Sequence, residues 1–110
     1  MVGYVPKRGD VVWLDFDPQK GKEIQKTRPA LVISPHSYNL KTDLALFMPI
    51  TSNIKGYPFE VVIDVGSIHG AILCDQIRSL DWKARNAKLI ARLPPVLLTE
   101  VLAKFRVLID

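Results

Sequence analysis

A small, strongly bent β-sheet or partial barrel closed by one C-terminal helix is the fold class this sequence predicts. Two patterns predict it. Short runs rich in Val, Ile, Leu and Phe are separated by clusters of Gly, Pro, Asn and Asp, as strands are separated by turns. From Val96 onward the apolar residues recur instead at three- and four-residue spacing, which lays them along one face of a helix. The chain of 110 residues shows no internal repeat, linker or low-complexity segment, so one domain accounts for all of it.

The elements follow in order. Lys7-Arg8-Gly9-Asp10 turns into a first strand, Val11 to Phe16, which Asp17-Pro18 closes. A polar loop from Gly21 to Lys26 leads to a second strand, Ala30 to Ser34. Pro29 has no N–H for a ladder and suits that strand's first residue, while pushing Arg28 toward an extended conformation. The unbroken apolar run makes this strand central and covered on both faces. His36 to Asp43 is a polar connector with room for a short helical turn. Leu44 to Ile50 is the third strand, and Pro49 near its end marks an edge or a bulge. Thr51-Ser52-Asn53 and Lys55-Gly56-Tyr57-Pro58 precede a fourth strand, Phe59 to Asp64. A glycine-bounded turn, Val65 to Gly70, feeds a fifth, Ala71 to Ile77. A connector through Trp82 reaches a short strand at Lys88 to Ala91. Pro94-Pro95 then opens the helix, where a missing N–H costs nothing, and Leu98, Val101, Leu102, Phe105, Leu108 and Ile109 form its apolar stripe.

Composition narrows the setting. A hydrophobic content of 48% is high for so short a soluble chain, yet no apolar run reaches membrane-spanning length and no signal-peptide pattern opens the sequence. The surplus is expected in an oligomer interface. Cys74 is the single cysteine, so no intramolecular disulfide forms, and a reducing cytoplasm is the expected compartment. Its apolar neighbours make it a small core residue rather than a nucleophile. A net charge of +4 favours a polyanionic partner, and between Arg78 and Arg92 five basic residues stand against one acid, Asp81.

Little of the usual catalytic equipment is present. His36 and His69 lie far apart with no ligand at metal spacing, and each is expected at the surface. The six glycines are scattered singly, so none forms a phosphate cradle. Polar residues do gather at strand ends: Arg28, Thr51-Ser52, Asp75-Gln76 and Arg78. Asp75 interrupts an apolar strand and is expected to have a partner or to lie in a cleft. Such a set supplies a cation for phosphate oxygens, a hydroxyl donor and a base. This suffices for RNA cleavage by its own 2′-hydroxyl, which needs neither a metal nor a protein nucleophile. The expectation is that the guanidinium of Arg28 and the hydroxyl of Thr51 converge on one anion-holding hollow.

These residues resemble the MazF/PemK-like toxin endoribonucleases of toxin–antitoxin pairs, and most closely the MazF branch. The resemblance runs nearly end to end. It is carried by Gly9-Asp10, Asp15-Phe16-Asp17-Pro18, Gly21-Lys22-Glu23, Thr27-Arg28-Pro29-Ala30-Leu31-Val32, Pro49-Ile50-Thr51, Lys55 to Val62 and Asp75 to Asp81. It implies an SH3-like partial barrel of the CcdB/MazF toxin type, acting as a homodimer without a cofactor. It also implies metal-independent, sequence-specific cleavage of single-stranded RNA, giving 2′,3′-cyclic phosphate and 5′-hydroxyl ends. The family's essential arginine falls on Arg28, its threonine on Thr51 and its first-loop acid on Glu23. A guanidinium holds its proton too tightly to donate it readily, so Arg28 reads as a charge stabiliser, with Glu23 or Asp75 as the base. Base recognition is expected along Phe16, Lys26, Thr27, Ser52, Lys55, Gln76 and Arg78. An antitoxin's disordered tail would cover the same groove, and any DNA contact would come only through that complex.

Two departures from the family pattern stand in the first loop, where Ile24 replaces a glutamine and Lys26 a glycine. A third is Leu73, where one branch carries an arginine. Two rivals remain open: a gyrase-inhibiting toxin of the same fold, acting by protein binding, and a non-catalytic RNA-binding barrel. The pairing of Arg28 with Thr51, and a tail of Val-Leu-Ile-Asp without tryptophan, argue against the first.

Overall fold

The apolar run that begins at Ala30 is buried residue by residue through Ser34, and the sheet is assembled around it. The computed structural model describes residues 3–15 and 27–110. In chain order these form β1 (Asp10–Asp15), β2 (Thr27–Val32), α1 (His36–Thr42), β3 (Leu44–Thr51), β4 (Glu60–Val65), β5 (Ile68–Leu73), β6 (Arg78–Asp81), β7 (Lys88–Arg92) and α2 (Pro95–Ile109). Every pairing is antiparallel, and the strand order is β4-β5-β3-β2-β1-β7, with β6 also on β3. Phe16, Glu23 and Lys26 lie outside the described residues.

β3 makes the bend. Its first half pairs with β6, from Leu44↔Asp81 to Phe47↔Arg78, and its end pairs with β5, at Ile50↔Ile72 and Thr51↔Ala71. Pro49, with no N–H to donate, sits between the two partners. Along its other edge β3 pairs with β2 only as far as Ala30↔Pro49.

Strand alternation gives the sheet two apolar faces. Val11, Leu31, Met48 and Ile50 join Val61, Ile63 and Ile72 on one face, beneath α2. Val12, Leu14, Ala30, Val32, Ala45 and Phe47 pack with Leu80 and Trp82 on the other. Helix α2 starts at Pro95 and buries Val101, with Leu97, Leu98 and Phe105 partly covered against the first face. Each such side chain contributes about 1.5–3 kcal/mol when fully buried. Its last turn is different: Val107, Leu108 and Ile109 are exposed, so the expected stripe stops short of Leu108.

Other boundaries shift for local reasons. β5 begins earlier than the glycine pattern implies, because Val65 pairs directly with Ile68 and only Gly66-Ser67 turns the chain. Gly66 carries the left-handed φ of 55° that so short a connection requires. The same strand ends at Leu73, where a turn closes with the Gln76 N–H donating to the Leu73 carbonyl at 3.2 Å. The stretch Arg78–Asp81, expected as connector, is a strand because β3 offers it an edge. Pro29 is the third residue of β2 rather than its first, just before pairing with β3 begins.

The region read as a polar connector is α1, and one buried side chain anchors it. Asn39 accepts from Ser34 Oγ at 2.6 Å and donates to the Pro6 carbonyl at 2.8 Å. Its backbone carbonyl accepts from Trp82 Nε1 at 2.9 Å. A buried polar group satisfied on all sides fixes one arrangement of the segments it joins. Asp10 ties down the N-terminus: one carboxylate oxygen accepts from the Tyr4 hydroxyl and the Lys7 N–H, and the other faces Arg92 Nε at 3.4 Å.

Candidate active site

Arg28 and Thr51 belong to neighbouring strands and share one face of the sheet. Arg28 alternates with Ala30 and Val32, and Thr51 with Ala45 and Phe47, all on the face of the second core. Continuing the Ala30↔Pro49 register by two residues brings Arg28 level with Thr51. Regular pairing of β2 with β3 ends at Ala30↔Pro49 and does not reach them, while Thr51 pairs with Ala71 of β5 on the other edge. The single hollow expected from the sequence is therefore two.

The first hollow, of about 230 Å³, is lined by Trp13, Thr27, Arg28, Pro29, Ile50, Ser52, Ser67, Ile68 and His69. The second, of about 280 Å³, is lined by Thr51, Asn53, Lys55, Tyr57, Glu60, Leu73 and Gln76. They adjoin at the end of β3, where Ile50 and Ser52 line the Arg28 hollow and Thr51 between them lines the other. Two parts of the fold hold Thr51 in place. Its Oγ1 accepts the Asn53 N–H at 3.1 Å, and Gly70 lets β5 lie directly against its carbonyl.

Glu60 shapes the second hollow. Its carboxylate accepts the backbone N–H groups of Lys55 at 3.2 Å, Gly56 at 3.0 Å and Tyr57 at 3.3 Å. Three amides aimed at one carboxylate fix the loop that carries Lys55 and Tyr57. Read as an ordinary strand residue, Glu60 is easily missed. The signal was its spacing, a carboxylate three to five residues beyond a Gly-containing loop.

The remaining candidates divide. Thr27 and Ser52 line the Arg28 hollow, while Lys55 and Gln76 line the Thr51 hollow. Arg78, the exposed first residue of β6, lines neither. Asp75 stands in the turn after β5 and is exposed, so it needs no buried partner and lies beside the second hollow rather than in its wall. Trp13 is 36% exposed and lines the Arg28 hollow. His36 opens α1 at the surface. His69 is a strand residue rather than a turn residue and faces Arg28's hollow, which sequence reasoning missed. Cys74 is fully buried, and burial pushes its thiol up to about 11, which fits a packing role. Among the described residues no three of His, Cys, Asp or Glu gather as a metal site, and no helix is long and apolar enough to cross a membrane.

A small antiparallel half-barrel with two helices, and polar hollows where the central strands end, is the architecture of a toxin fold. Residues 7–109 match the model of the PemK-like, MazF-like toxin of type II toxin–antitoxin systems, and the chain belongs to that family. It is 47% identical over 106 residues to the endoribonuclease toxin MazF of Escherichia coli K12, covering 96% of each chain. It is 36% identical to the Escherichia coli endoribonuclease PemK, covering 89% of this chain and 77% of that one. A MazE–MazF crystal structure from Deinococcus radiodurans superposes with a TM-score of 0.87 at 43% identity, covering 98% of each chain.

Proposed function

We propose that this protein is a sequence-specific endoribonuclease toxin that cuts single-stranded RNA, messenger RNA above all, and so arrests translation. The observation that carries the reading is its near full-length similarity to proteins named as endoribonucleases. In the reaction the RNA 2′-oxygen attacks the adjacent phosphorus. The O2′–P bond forms and the P–O5′ bond breaks, leaving a 2′,3′-cyclic phosphate and a 5′-hydroxyl. Neither a metal nor a protein nucleophile is required, because the enzyme orients the chain and stabilises charge.

Arg28 binds the non-bridging phosphate oxygens, and the Thr51 hydroxyl donates a hydrogen bond to the same group from the neighbouring strand end. Glu23 or Asp75 takes the 2′-hydroxyl proton, and the departing 5′-oxygen takes a proton from water. Flanking nucleotides run along Thr27 and Ser52 on one side and Lys55 and Gln76 on the other, with Phe16, Lys26 and Arg78 as further contacts. The two adjoining hollows suit this division, with a strand crossing the end of β3 between them.

The protein acts as a homodimer in the cytoplasm. The surface available to a second copy is the exposed last turn of α2, beside a groove of about 400 Å³ between Tyr38, Leu46, Leu102, Phe105 and Ile109. A cognate antitoxin neutralises the toxin by laying an acidic, aromatic tail across the RNA groove, and any contact with DNA is made by that complex. The test is incubation of purified protein with mixed-sequence RNA in EDTA, followed by sequencing of 5′-hydroxyl ends. Arg28→Ala is expected to slow cleavage by about 100-fold or more. RNA that stays intact but bound would instead make this a binding protein.

A further inference from the structure

We infer that His69 makes the Arg28-lined hollow a pH-gated subsite for a backbone phosphate of RNA; this rests on the nuclease reading above and extends it. His69 in β5 lies directly across from Asp64 in β4, and its Nδ1 is 3.2 Å from Asp64 Oδ1. Protonation makes both ring nitrogens donors and adds a positive charge to the hollow that Arg28 also lines.

Two charges flank the ring: Asp64 approaches it from β4, and Arg28 of β2 lines the same hollow. The hairpin turn packs at Gly66 against Ile90 and Ala91 of β7, whose Lys88 lines the next hollow with Trp13 and Thr27. The hydroxyls of Thr27, Ser52 and Ser67 complete the polar wall around the anion. A phosphate bridging Arg28 and His69 stabilises the imidazolium, so RNA binding takes up a proton as it occurs.

The probe is a labelled mixed-sequence RNA carrying 2′-O-methyl groups throughout, which binds without a nucleophile to react. Its affinity for the full chain is measured by fluorescence anisotropy at about pH 5.5 and about pH 8, either side of the range where an imidazole titrates. The wild type is expected to bind about 5-fold tighter at the lower pH, on the scale of one exposed charge contact. Its salt dependence should steepen there by about 0.7 in the log–log slope, one phosphate contact on a single strand. His69→Gln removes this response, His36→Gln keeps it, and Arg28→Ala weakens binding at both pH values. The subsite is overturned if His69→Gln responds to pH as the wild type does. It is equally overturned if the His69-dependent response appears with poly-glutamate and not with RNA. Cleavage of unmodified RNA by the same preparation keeps the nuclease reading standing through either failure. A preparation that neither cleaves RNA nor binds the methylated strand overturns both.

Discussion

Gly70→Ala tests how the fold places Thr51. A Cβ at position 70 would fall deep inside the van der Waals contact of the Thr51 carbonyl oxygen, with the Thr51 carbonyl carbon at 3.2 Å and Ile50 Cγ2 at 3.3 Å. The obstacle is backbone, held by the Thr51↔Ala71 and Ile50↔Ile72 pairs, so no flexible side chain can swing aside. β3 and β5 must part instead, by roughly an ångström to regain ordinary contact. Overpacking of this kind costs about 2 kcal/mol, within the usual range of 1–3. For a domain near this size that lowers the melting temperature by about 8 °C. A displacement of about 1 Å at a reacting group can also cost about 100-fold in rate. The assay pairs urea unfolding with RNA cleavage, and Gly3→Ala serves as control because nothing lies within 4 Å of a Cβ there. Gly70→Ala protein within about 0.5 kcal/mol of wild type and equally active would refute the close-packing argument.

Three further substitutions or treatments probe other parts of the molecule. Burial first, and then the hydrogen bond to Asp10, keep the Tyr4 phenol protonated well above the usual tyrosine range. An unfolded tyrosine ionises near pH 10, so the stability Tyr4 lends is complete below about that pH and falls above it, where only the unfolded chain has lost the proton. Urea titrations between about pH 9 and about pH 11 should therefore show a shallower alkaline decline in Tyr4→Phe; an identical decline would contradict the linkage. The buried Cys74 thiol, pushed up to about 11 by burial, should resist aromatic disulfide reagents at neutral pH until the chain unfolds, and rapid labelling of native protein would count against it. Glu60→Ala releases the amides of Lys55, Gly56 and Tyr57. We expect kcat/KM for RNA to fall about 10-fold with the melting temperature nearly unchanged, and unaltered kinetics would show that the loop needs no such clamp.

The parts of the fold legible in the sequence are those where local pattern and final environment agree. Ala30 to Ser34 reads as a covered central strand because it is one. The three- and four-residue spacing after Pro95 gives α2, although Leu108 and Ile109 end up on the surface. Arg78–Asp81 reads as connector because only Leu80 is apolar, and its strand character comes from pairing with the edge of β3. Ile68-His69-Gly70 looked like a turn for a similar reason: a polar residue and a glycine hide a strand that only its pairing with β4 reveals. At the site, Arg28 and Thr51 were readable as polar groups at strand ends. Their separation into two hollows was not, because it arises where β3 changes partners, which no local stretch encodes.

That change of partners has a consequence for how the molecule comes apart. With one strand common to both halves, the domain has no seam along which to open. Losing Leu44–Thr51 strips backbone partners from β2, β5 and β6 at once, so a breach there is a breach everywhere. Amides of Ala45 to Met48 should accordingly trade hydrogen with solvent only when the entire chain unravels, which mass-resolved exchange can check. A toxin built on such a shared spine is whole or absent, with no trimmed intermediate for a protease to leave behind.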